Sequence, residues 1–331
     1  RRPPGTLRRT ASSPPPGAWW TWAAGMPIVM LRRGGSGARA RTNMPDGLET
    51  TAGPTSIGYK SSQCNVLYYN PAQTYTRPKR FDGTFFPQPA FNAAPYAGFG
   101  AYYVIPDLSV TNLNNQFVAY DPSSLDVVSP FPHVPQRAYY YVYTGAQTLK
   151  FDASPCTQHD GGATVAAIGG GTWTKTFPVT AAEKDNFAVW YSFYRTRISL
   201  IKSAASLAFS PLNDTKRVGF ITVEPKDTPV SAAINPIRYL PVNDFDPAQK
   251  SLWFDKLFSQ KPKGASPARE GLARVGRHYG GMHDGINTDM AGDPLQFACQ
   301  PNFPIMTPHA SWKTQAPPTN HGAPPGRPAA P

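Results

Sequence analysis

Acidic residues are missing from the first 41 positions of this 331-residue chain and again from position 310 to the end, and cysteine occurs only at Cys64, Cys156 and Cys299. The two ends hold ten basic residues, eight of them arginines before Thr42, and they account for most of the formal charge of +12; between Thr42 and His309 stand 22 basic and 20 acidic residues. A nucleic-acid surface needs cations clustered on a folded face, which a nearly neutral body with Arg-rich ends does not offer. The same balance argues against a basic membrane-surface arm. No run of 18 apolar residues exists, so no transmembrane helix is expected. The stretch Ala18–Leu31, AWWTWAAGMPIVML, is broken by Gly25 and Pro27 and lacks a clean cleavage site, so it reads in part as a strand, Ile28–Leu31, and not as a signal peptide. The cysteines are too widely spaced for a CxxC metal or redox site, and one disulfide plus one free thiol is among the arrangements they allow. A charged fraction of 16%, with many aromatic, Thr, Ser, Asn and Gly residues, leans towards export.

What is present is aromatic and extended. Ser61–Phe91 is rich in Tyr, Phe and Pro, which predicts short strands broken by turns, with Asp82-Gly83 as a two-residue hairpin whose central residues both take positive φ. Ala138–Asp152 alternates Tyr, Val, Thr and Leu about Gly145 and reads as a second hairpin; Gly161-Gly162 and Gly169–Gly171 mark connections. The period then changes. Apolar residues recur at three and four from Glu183 to Phe209, which predicts one long helix between Thr180 and Pro211, burying Trp190, Tyr194, Ile198 and Ile201 against a sheet with Arg195, Lys202 and Ser203 near its other side. Lys216–Val223 reads as a buried parallel strand. Asp246-Pro247 opens a helix to about Phe258, Ser266-Pro267 opens another to about Tyr279, and Asn302–Thr307 is a strand. This order favours a three-layer α/β domain with a β-rich insertion ahead of its first long helix.

Enzyme chemistry finds little support. His278, His283 and Asp284 stand close in sequence, but the intervening glycines imply a solvated loop after a helix, and the spacing matches no helical zinc motif. Gly35-Ser36-Gly37 lacks the outer glycines of a GxSxG nucleophile elbow. More specific are three segments, Val29–Ala38, Gly264–Leu272 and Ile305–Trp312, each joining a strand or helix to a loop. In an open α/β sheet such segments meet at the carboxyl edge, where a ligand sits.

Those segments, with SSQCNVLYYNPAQTY, AYYYVYTGAQTLKF, NFAVWYSFYRTRISLIKSAASLAF, RVGFITV, DFDPAQKSLWFDKLFSQ, SPAREGLARVGRHY and DPLQFACQPNF, resemble the amino-terminal region of the type IV pilus tip-associated adhesin and assembly family, the PilY group. The resemblance runs from about Thr42 to Ile305, roughly four fifths of the chain. It implies a von Willebrand A-like domain of an exported, non-enzymatic protein at the cell surface, fimbrium or outer membrane. The implied role is in pilus biogenesis, surface attachment and twitching motility, with minor pilins or the pilus tip, and a host or abiotic surface, as partners. Members continue into a β-propeller, and no propeller-length sequence follows Pro331, which reads as a fragment or truncated member. Near Arg41 and Phe303 the family pattern stops, as a degenerate gene or a shifted frame of a GC-rich gene would make it. The resulting division is an aberrant or disordered tail at 1–41 that includes the possible first strand, a β-rich insertion at 42–182, the α/β part at 183–309 and a disordered tail at 310–331. A core complete within 42–309 is expected to survive trimming.

The family's fold holds magnesium through an Asp-x-Ser-x-Ser turn, a threonine and an aspartate. The resemblance lays the turn on Gly34, Ser36 and Ala38, the threonine on Ser266, and the aspartate on His309. Only Ser36 and Ser266 remain as oxygen ligands, and two neutral hydroxyls do not offset the dehydration of magnesium. No cofactor is therefore expected. The rival reading is a secreted carbohydrate- or protein-binding β-rich module in which some of Tyr139, Tyr140, Tyr141 and Tyr143 line a sugar site, at most half of them on one face.

Overall fold

The computed structural model describes residues 27–31, 56–100, 110–119, 135–150, 154–159, 161–226, 234–261, 268–290, 292–296 and 299–307. In chain order the strands are β1 (Pro27–Leu31), β2 (Ala94–Pro95), β3 (Val110–Thr111), β4 (Tyr140–Thr144), β5 (Thr164–Ala166), β6 (Thr172–Thr176), β7 (Arg217–Thr222), β8 (Tyr239–Asp244) and β9 (Phe303–Thr307). The α-helices are α1 (Ala181–Phe193), α2 (Arg197–Phe209), α3 (Pro247–Ser259) and α4 (Ala268–Tyr279).

The α/β body is built on a sheet of order β8-β7-β1-β9, parallel except for β8 at one edge. Every residue of β7 is buried, as the apolar run Lys216–Val223 requires of a strand covered on both faces. Val218 and Phe220 pack with Phe209 at the end of α2 and with Trp253, Phe254 and Leu257 of α3. Ile221 and Val223 pack on the other side with Val275 of α4 and Met290. The layers are thus helices, sheet, helix, an α/β fold as expected. Asp246 caps α3 by accepting from Gln249 N at 2.8 Å, with Pro247 at the first helical position. Strand β1 lies between β7 and β9. The expectation that residues 42–309 suffice for the core is corrected by this placement, because trimming removes the strand that joins both halves of the sheet.

The insertion is less regular than its composition predicts. Between Ser61 and Phe91 it contains turns, the isolated bridge Lys79 to Phe85 and a second from Ala90 to Ala93, and no longer strand. At Asp82-Gly83 only Gly83 takes positive φ (84°). Gly83 N donates to Arg80 O and Arg80 N to Thr84 O, so the loop has three residues with glycine in the left-handed position. The Gly145 hairpin is also corrected: β4 pairs with β6, not with the segment after Gly145. Gly145 serves close packing, since a Cβ there would fall 2.2 Å from Tyr143 Oη and 3.0 Å from Gly171 Cα. The insertion's core is aromatic, with Tyr69 ringed by Tyr75, Tyr140, Phe187 and Trp190 at centroid distances of 4.7 to 5.9 Å. Cys64 and Cys156 form a disulfide across it, and Cys299 is free and exposed.

The long helix of the sequence reading is two helices. Thr180 and Glu183 form a capping box at the start of α1. The chain breaks at Tyr194–Thr196, where extended Thr196 accepts from Ser199 N and starts α2. Trp190 is buried as expected, but among the insertion's tyrosines and not against the sheet. The expected solvent side is also corrected. Arg195, Lys202 and Ser203 are buried. Lys202 Nζ donates to Phe258 O at 2.6 Å and Gln260 O at 2.8 Å, taking up carbonyls at the carboxyl end of α3. Burial, reinforced by the charge of Lys261, pushes its pKa well below the usual lysine value.

Candidate functional site

Leu31 pairs with Thr222 on one side and Thr307 on the other, so β7, β1 and β9 end in one line. The segments that follow all leave from this carboxyl edge, as the topology of an open parallel sheet requires. Of the positions expected to line it, Gly34, Ser36, Ala38, Ser266 and His309 lie outside the described residues, as do the two tails apart from β1. Among the described residues no group of three or more His, Cys, Asp or Glu is placed to hold a metal ion.

The edge carries a charge lattice that sequence reading missed. Thr222 Oγ1 donates to Glu224 O at 3.0 Å, which folds the chain back directly after β7. Arg238 donates to the carbonyl oxygens of Glu224 and Lys226. On α4, Arg274 is buried and pairs with Glu270 four residues earlier at 2.8 Å. Burial lowers the Arg274 pKa, and the Glu270 carboxylate opposes that shift. Lys226 is lowered by burial and by Arg274, and held up by Glu270 and Asp289. Arg238 thus holds the chain after β7 by two of its carbonyls, and Lys226 in that chain feels the charges of Arg274, Glu270 and Asp289. No motif marks these residues. A usable signal was the Glu270–Arg274 spacing on one helix face.

His278, on the same face of α4 one turn beyond Arg274, is buried, and its ring lies 6.2 Å from that of His283. Burial, then the charge of His283, pushes it down to about 4, against the opposing charge of Asp293. Asp284 instead pairs with Arg277 at 2.5 Å. His283 and Asp284 are exposed, as a solvated loop requires; His278 lies within α4, as the helix to about Tyr279 predicted, and is corrected from solvated to buried.

The tyrosine platform of the rival reading is absent among the described residues: Tyr139, Tyr140, Tyr141 and Tyr143 are 2 to 6% exposed. Tyr139 and Tyr141 sit edge to face, and Tyr143 lies 5.2 Å from Trp173. These rings are core on both faces of β4, and none is left for a sugar.

Comparison with known proteins bears out the resemblance to the PilY family. The type IV pilus biogenesis factor PilY1 of Pseudomonas aeruginosa strain UCBPP-PA14 is 26% identical over 294 residues, 86% of this chain and 23% of its own length. The same factor from strain PAK is 23% identical over 306 residues, 88% of this chain and 24% of its own length. The chain therefore spans about a quarter of the length of the curated relatives it matches. No family model and no solved structure matches it. Among the described residues no helix is long and apolar enough to cross a membrane.

Proposed function

We propose that this chain acts in the type IV pilus as part of an exported, non-enzymatic protein of the cell surface, fimbrium or outer membrane, where it contributes to pilus biogenesis, surface adhesion and twitching motility. The observation that carries the reading is the length of the similarity: a match over 86% of the chain takes in parts of both the aromatic insertion and the α/β body. The parallel β7-β1-β9 edge supports a von Willebrand A-like body, with minor pilins or the pilus tip, and a host or abiotic surface, as partners. Deleting the coding region should reduce sheared surface pili, the twitching zone and the number of attached cells, and the parent gene should restore all three. Unchanged piliation in the deletion strain would remove the reading.

The edge is proposed to have lost its cation, with Gly34 and His309 in place of carboxylates and Ser36 and Ser266 as the remaining hydroxyls. Calorimetric titration with magnesium, calcium and manganese should show no saturable binding below millimolar concentration. A stoichiometric micromolar site abolished by Ser36→Ala would overturn this.

A further inference from the structure

The segment Arg77–Phe86 stands out of the aromatic core as a short, well-tied finger. Its base is fixed by Phe86, whose ring lies 5.2 to 5.6 Å from Phe99, Phe193 and Phe258, and by Lys79 N donating to Ser206 Oγ on α2. Its turn is fixed by Asp82, whose carboxylate accepts from Thr84 N at 2.9 Å and Thr84 Oγ1 at 2.7 Å. Beyond that base it presents Phe81 and Phe85, 41% and 43% exposed. Arg77 and Lys79 lie 5.3 and 5.0 Å from the Phe85 centroid, and Arg80 lies 4.7 Å from that of Phe86.

We propose that this finger docks on an anionic lipid surface, with Phe81 and Phe85 entering the boundary between headgroups and acyl chains while Lys79 and Arg80 face the lipid phosphates and Arg77, whose Nη1 donates to Phe86 O at 2.9 Å, braces the base. The pairing of an apolar tip with a basic collar supplies the two attractions that reversible interfacial binding needs, burial of rings and neutralisation of charge. The composition favours lipid over an acidic polypeptide: two exposed rings lead the cations, and the bridge pair Lys79 with Phe85 offers no strand edge to extend. The inference does not depend on the pilus reading, and it concerns the body of the chain and not its Arg-rich ends.

To separate docking by the finger from any charge attraction by the ends, the test reads the tip locally. In the full chain with Cys299→Ser, a Thr84→Cys substitution gives up the hydroxyl bond to Asp82 but keeps the backbone bond and both rings, and takes an environment-sensitive fluorophore. Vesicles of phosphatidylcholine with phosphatidylglycerol should shift its emission to the blue, and phosphatidylcholine alone should not. The same label at Ile168→Cys, in the turn between β5 and β6, should not respond. Phe81→Ser with Phe85→Ser should abolish the shift, and each of Lys79→Gln and Arg80→Gln should raise the lipid needed for half of it about fivefold. An unmoved tip label on vesicles that nevertheless sediment the chain would assign binding to the ends and overturn the proposal. A response to polyglutamate but not to vesicles would assign the finger to an acidic polypeptide and overturn it equally.

Discussion

His278 shows how little a residue's sequence neighbours say about its surroundings. Two glycines follow it closely, yet it closes the buried face of α4 that begins with Gly271 and Arg274. Its consequence is measurable. With its pKa at about 4 folded and near 6.5 unfolded, the unfolded chain binds the extra proton between those values, so stability rises with pH across that window. The contribution is fully present above about pH 6.5 and is lost as pH falls through 4, a change of about 3 kcal/mol. Urea midpoints measured near neutrality and near pH 4 should differ by less in His278→Gln than in the parent, since other groups titrate in both. An equal fall in both proteins would show that His278 is not held neutral. Lys202 and Arg195 were hidden from sequence reading for a related reason: hydrophobic periodicity places cations outside, and nothing local reveals that carbonyls await them inside.

Elements whose ends carry their own chemistry were legible. Asp246-Pro247 gave the start of α3 correctly, because a cap is a contact among residues three apart, and the start of α1 near Thr180 also held. The break between α1 and α2 was not, because apolar spacing continues across it and only Thr196, an ordinary residue in a helix interior, stops the backbone. Strand β8 was missed because Pro241 reads against a strand, and it is tolerated at the sheet's edge. β4 was seen but given the wrong partner, since pairing with β6 depends on contacts remote in sequence. If the Thr196 cap sustains the break, Thr196→Ala should cost about 1 kcal/mol in chemical denaturation, and Thr196→Ser much less. Equal loss in both would indicate that packing alone ends α1.

At the scale of the molecule, the three-layer body was legible as an alternation of buried strand and amphipathic helix. The position of β1 at its middle was not, because the composition around it argued for a tail. A chain lacking residues 1–41 loses β1 and leaves β7 and β9 without their shared neighbour. It should lose cooperative unfolding by near-ultraviolet circular dichroism, and a single sharp transition at the parent's midpoint would refute the central placement. The candidate edge was legible as a place but not in its charges, since Arg238 reaches the carbonyls of Glu224 and Lys226, and Lys226 feels Arg274, only through the fold.

The bridge from Cys64 to Cys156 bears on how the protein carries load. Tension applied along the backbone passes through the sulfur link and bypasses the stretch between the two cysteines, a sequence separation of 92 residues. Roughly 300 Å of contour length is thereby withheld from extension. Stretched singly between a tip and a support, the oxidised chain should fall short of the reduced chain by that length, so that the aromatic insertion behaves as a slack reserve released only under reducing conditions.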